Sequence, residues 1–133
     1  MKVLFINPKI SGGAAWLPLG LGYIASSLRK HNIDSKIIDA NLHRCDIEIL
    51  ASLIKQYKPD VIGIGGMTVQ CKDAIRIGKM VKQIGRDLKL VYGGVHFTFM
   101  PYDGLKYGDI VVIGEGEETF LEVCKGYDLY KIK

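Results

Sequence analysis

The feature that most constrains this chain is an alternation of two hydrophobic periods along most of its length. Short, β-branched apolar runs occupy residues 2–6, 35–39, 60–65, 89–92 and 109–113, each closed by Gly, Asp, Asn or Pro. Between them the apolar residues change spacing. Leu21, Ile24, Ala25 and Leu28 recur at i, i+3, i+4 and i+7, as do Leu50, Leu53, Ile54 and Tyr57, and again Ile77, Met80, Val81 and Ile84. The runs read as buried strands and the spaced sets as one-faced helices. Asp46 is placed to cap the second helix, and Pro59 follows its end. A short helix is expected from Pro101, and a last one over 117–125 with Phe120, Leu121 and Cys124 turned inward.

Strand and helix alternating about five times implies a parallel sheet with right-handed crossovers. Near-continuous apolar strands suit a sheet covered on both faces. The expected fold is therefore α/β and Rossmann-like. It has a five-stranded parallel sheet in the flavodoxin-like order 2-1-3-4-5 and helices on both faces. A length of 133 residues fits one domain, 1–133, and 48% apolar residues suffice for a core. In such sheets ligands bind beyond the carboxyl ends of the strands, where the strand order reverses. That selects the loops 7–19, 65–70, 93–100 and 114–119. All four are glycine-rich: Gly12-Gly13, Gly65-Gly66, Gly93-Gly94 and Gly114-Glu115-Gly116. Glycine also serves tight turns. Four such loops on one edge favour a large ligand approaching bare backbone.

Several functions are disfavoured. The net charge of +4 is scattered, as on solvated helix faces, and no nucleic-acid partner is expected. No run approaches a membrane span, no membrane partner is expected, and a cytoplasmic protein is the expectation. Cys45, Cys71 and Cys124 lack zinc-type spacing and read as reduced, partly buried thiols. GLGYIA (20–25) has the letters of a dinucleotide fingerprint, but it lies far from the first strand, whereas that motif must turn directly out of it. A phosphate-accepting receiver would need acids where Asn7, Pro8 and Lys9 stand. No phosphate-loop lysine motif or GxSxG elbow is present.

Five segments in order carry a resemblance across essentially the whole chain. They are INPK (6–9), PLGLGYIASSL (18–28), KPDVIGIGGMT (58–68), YGGVHFT (92–98) and DIVVIGEGEETF (109–120). Together they resemble the N-terminal cobalamin-binding domain of B12-dependent radical SAM proteins, which include methyltransferases and the anaerobic magnesium-protoporphyrin IX monomethyl ester cyclase type.

The resemblance implies cobalamin as cofactor. It places the contacts at Asn7, Pro8, Leu19, Gly20, Gly65, Gly66, Met67, Thr68, Gly93, Gly94, Val95, His96, Thr98, Glu115, Gly116, Glu117 and Thr119. The B12 domains of methionine synthase and the mutases carry D-x-H-x-x-G after the first strand, and its histidine ligates cobalt. Here Asn7 stands at the Asp position and Lys9 at the His position. A protonated lysine offers no lone pair, so no protein histidine lower ligand is expected. The family's S-x-L aligns with Gly65-Gly66-Met67, which lacks the serine. Thr68 beside it either replaces that serine or caps the third helix. Gly93-Gly94 match the family's GG, which lets the dimethylbenzimidazole tail pass the backbone. His96 either faces the corrin, bonds its amide side chains, or is a hydrogen-bonded loop histidine. Glu115 and Glu117 either accept from corrin amides or favour a helix N-terminus. Asp39 reads as a turn residue.

No CxxxCxxC motif for an iron–sulfur cluster occurs in the chain. The resemblance thus implies a domain whose iron–sulfur cluster, S-adenosylmethionine and catalytic residues belong to a C-terminal radical SAM barrel absent from this chain. Two other readings stand beside it: a cofactor-less regulatory or interaction domain of the same fold, and a flavodoxin-like nucleotide- or flavin-binding protein.

Overall fold

The computed structural model describes residues 1–10, 18–41 and 46–126. The glycine pair Gly12-Gly13 and Cys45 lie outside the described residues. Five strands form one parallel sheet in the order β2-β1-β3-β4-β5: β1 (Lys2–Asn7), β2 (Asp34–Asp39), β3 (Val61–Gly65), β4 (Lys89–Gly93) and β5 (Ile110–Val111). The helices are α1 (Leu19–Lys30), α2 (Ile47–Tyr57), α3 (Cys71–Ile84), α4 (Val95–Phe99), α5 (Pro101–Leu105) and α6 (Glu117–Cys124), with a 3-10 turn at Thr68–Gln70 before α3. This is the fold class and strand order expected from the sequence.

Alternate strand residues feed two cores. Leu4, Ile6, Ile62, Ile64, Leu90 and Tyr92 pack with Leu50 and Ile54 of α2 and Ile77 and Val81 of α3. Val3, Phe5, Val61, Val91 and Ile110 face the other way, toward Leu28 of α1 and Phe120 and Val123 of α6. Burying each such side chain contributes roughly 1.5–3 kcal/mol. The two-residue alternation therefore fixes which helix covers which face. Asp46 caps α2 as expected, its carboxylate accepting from the Ile49 N–H at 2.9 Å. Lys58 ends that helix in the left-handed region at φ +53°, just before Pro59.

Two expectations are corrected. Residues 93–100 are not an open loop, because 95–99 wind into α4 and lead through Met100 into α5. The expected fifth strand, 109–113, shrinks to two residues. It is an edge strand with one neighbour, Ile113 is exposed, and Gly114 at φ +78° turns the chain away.

Candidate functional site

The sheet's second face lacks a side chain at one point. Gly63 lies on the Phe5 and Val91 face, and a Cβ there would come within 2.8 Å of the Phe5 ring and 3.1 Å of Phe120. The rings of Phe5 and Phe120 pack at 5.0 Å beside this gap. A cleft of about 430 Å³ opens there at the carboxyl edge of the sheet, between the strands, α1 and α6. Its floor is largely bare backbone of Gly63, Gly65, Gly66, Gly93 and Gly94, and its walls are Phe5, Leu21, Ile24, Val91, Val112 and Phe120.

Most of the residues named from sequence meet in this cleft. Asn7, Leu19, Gly20, Gly65, Gly66, Met67, Gly93, Gly94, Val95, Glu115, Gly116 and Glu117 line it, whereas Pro8, Thr68, His96, Thr98 and Thr119 do not. Among the described residues no Lys, Arg or His lines it, and Glu115 and Glu117 are the charged groups.

Local bonding explains the departures. The Pro8 carbonyl is occupied by Asn41 Nδ2 at 2.8 Å and Gln70 Nε2 at 2.7 Å, and the Lys9 N–H donates to Asp73 at 2.7 Å. Thr68 begins the 3-10 turn, and Gln70 holds the cap position of α3, so of the two roles open to Thr68 the helix-capping one is not observed. Its hydroxyl lies 3.3 Å from His96 Nδ1. His96 is buried, and its Nε2 meets the Asp103 carboxylate at 2.9 Å. His96 is thus hydrogen-bonded, and it sits in a helix rather than a loop. Thr98 works as a staple: its Oγ1 donates to the Gly94 carbonyl at 2.8 Å and accepts from the Gly114 N–H at 3.0 Å.

Sequence reasoning missed Gln70, which is buried and joins two loops. Its Nε2 donates to Asn7 Oδ1 at 3.0 Å, and its Oε1 accepts from the Met67 N–H at 2.9 Å. Asn7 in turn donates to Asp39 at 3.2 Å, so Asp39 anchors the cleft floor as well as closing a turn on the Asn41 N–H. A buried carboxamide with all its groups matched rigidifies its surroundings.

The glycine pairs are not equivalent. Gly94 sits at φ +95°, and a Cβ there would fall 2.8 Å from the Gly66 nitrogen and 2.9 Å from its oxygen. The Gly66 carbonyl also accepts from the His96 N–H at 3.2 Å. Gly94 is thus required where two backbones touch. Gly93, with nothing closer than 3.8 Å, leaves room in the cleft.

Beneath the other face, the Tyr92 hydroxyl donates to the Ala74 carbonyl at 3.0 Å. Burial first, then the nearby Cys71 and Tyr107, push that phenol above its usual range. Burial pushes the Cys71 thiol up, and the Asp103 carboxylate adds to the effect.

The B12 binding domain family model matches residues 9–124. An uncharacterized methyltransferase of Pyrococcus horikoshii is 36% identical over 132 residues, which cover 92% of this chain and 28% of that protein. The anaerobic magnesium-protoporphyrin IX monomethyl ester cyclase of Rubrivivax gelatinosus is 31% identical over 137 residues, covering 96% of this chain and 25% of that protein. The chain therefore spans about a quarter of the length of these curated relatives. Among solved structures, the radical S-adenosylmethionine methyltransferase TsrM of Kitasatospora setae, with cobalamin and a [4Fe-4S] cluster bound, superposes with a TM-score of 0.84 at 21% identity. It covers 99% of this chain and 28% of that one. At that identity the likeness is one of fold.

Proposed function

This chain belongs to the B12-binding domain family, and from that premise we propose that it holds cobalamin in the glycine-floored cleft as the corrin-binding module of a longer radical SAM protein. The observation that carries the reading is the floor itself: five glycines expose backbone between apolar walls at the edge where this fold binds ligands. A flat aromatic group such as the dimethylbenzimidazole tail suits that slot. Whole cobalamin is far larger than the cleft, so the corrin is assigned to its mouth, near Leu19, Val95, Glu115 and Glu117. There the two carboxylates would accept hydrogen bonds from the peripheral amides of the corrin.

Thr68, His96, Thr98 and Thr119 support the walls in this reading rather than touching the cofactor. Lys9 offers no lone pair, and His96 lies outside the lining of the cleft. The cobalt is therefore assigned no histidine ligand from among the described residues. Bound cobalamin supplies the group-transfer chemistry of its cobalt, which these side chains lack. The domain's own work is to bind and orient. Substrate chemistry, by methyl transfer or cyclisation, belongs in this proposal to a C-terminal barrel carrying the iron–sulfur cluster and S-adenosylmethionine.

A flavin or nucleotide phosphate fits less well, since among the described residues it would meet two carboxylates and no basic side chain. A desalting experiment separates the readings. The reduced chain is mixed in turn with hydroxocobalamin and with flavin mononucleotide. Corrin absorbance should travel with the protein and flavin absorbance should not; the reverse result overturns the proposal. Binding of neither favours the cofactor-less regulatory reading. A reading frame that continues into CxxxCxxC would support the longer parent.

A further inference from the structure

A second group of potential ligands lies away from the cleft. Cys71 at the start of α3, His96 of α4 and Asp103 of α5 bring one sulfur, one imidazole nitrogen and one carboxylate oxygen within 4.8 Å of one another. We propose that these three residues form a binding site for a transition-metal ion of the zinc class, separate from the corrin.

The donor set selects the metal. A thiolate and an imidazole suit zinc-like ions, whereas calcium and magnesium prefer oxygen alone. A tetrahedral site with bonds of about 2.0–2.3 Å needs ligands roughly 3.5 Å apart. The His96 Nε2 to Asp103 distance is 2.9 Å, so that pair opens by roughly 0.6 Å to admit the ion. Closing the remainder asks about 1 Å of the sulfur and the carboxylate, and the Asp103 side chain is 41% exposed and can turn. The outer partner is also present. Thr68 Oγ1 lies 3.3 Å from His96 Nδ1, so it can accept a hydrogen bond from Nδ1–H and fix the tautomer that leaves the Nε2 lone pair toward the metal. On binding, the thiol proton leaves to solvent, and water fills the fourth position on the exposed Asp103 side.

The test uses the reduced, cobalamin-free 133-residue chain. Zinc ion is titrated against a chromophoric competitor, and cobalt(II) ion is then added to read sulfur-to-metal charge transfer. One equivalent should bind. Cys71→Ser should abolish the charge-transfer band, and both Cys71→Ser and Asp103→Asn should weaken zinc at least about tenfold. His31→Gln, on an exposed ring that contacts the Ser27 carbonyl, should change nothing. Far-UV circular dichroism checks that each variant is folded, and the partly exposed Cys71 and Asp103 decide the matter if His96→Gln is not. Absence of stoichiometric binding, or binding unchanged in both Cys71→Ser and Asp103→Asn, overturns the assignment.

Discussion

Replacing Gly94 with Ala sets two neighbouring glycines against each other. Gly94 adopts φ +95°, ψ −176°, a region essentially reserved for glycine. Holding alanine there costs about 1–3 kcal/mol. The new methyl would also sit 2.8–2.9 Å from the backbone of Gly66, and backbone cannot swing aside. Such overpacking costs about another 1–3 kcal/mol. A total near 2–6 kcal/mol is a large part of the roughly 5–15 kcal/mol that stabilises an ordinary domain. Gly93→Ala is the control. Its Cβ meets nothing within 3.8 Å and its φ is not positive, so stability should stay within about 0.5 kcal/mol. Urea denaturation followed by circular dichroism gives both values. Equal midpoints for the two variants would refute the claim that Gly94 is required by contact with Gly66.

Other outcomes follow from the same geometry. Gly22→Ala places a methyl in open space inside α1 and should raise stability by about 0.5–1 kcal/mol in the urea assay. Gln70→Ala removes the link between Asn7 and Met67 and should cost about 2–3 kcal/mol while weakening cobalamin retention on a desalting column. Burial raises the Cys124 thiol from 9.0 to about 11. The thiol is neutral in both states below the lower value, so its contribution is complete there and falls as pH rises through the folded value. The loss, trimmed by solvent screening at this domain edge, is about 1–2 kcal/mol. Urea midpoints of wild type and Cys124→Ala measured across that window should diverge accordingly.

The sheet was legible because each strand's burial follows from residue type: Val3 and Phe5 on one face, Leu4 and Ile6 on the other. The position of the cleft was legible from topology, since ligand loops gather at the carboxyl edge. Helix α4 was not, because VHFTF is five residues long with no side-chain cap, and it is fixed by contacts with β4 and α5. Gln70 was hidden for a similar reason. It is an ordinary polar residue at a helix start, and its burial arises only where two loops distant in sequence meet. Gly93 and Gly94 look alike as letters. Only the backbone angle and the approach of Gly66 separate a glycine that leaves room from one that a neighbour demands.

The central claim is that cobalamin enters the cleft above Gly65. Gly65→Val fills that space from a strand end, at an ordinary backbone angle and with its nearest neighbour, Leu21, 3.4 Å from the added Cβ. The decisive measurement is a hydroxocobalamin titration of wild type and Gly65→Val, read as corrin retained per folded chain. One corrin per wild-type chain and at least about tenfold weaker binding by a folded variant is the predicted result, equivalent to about 1.4 kcal/mol. Equal retention by the two proteins, or none by the wild type, would contradict the account.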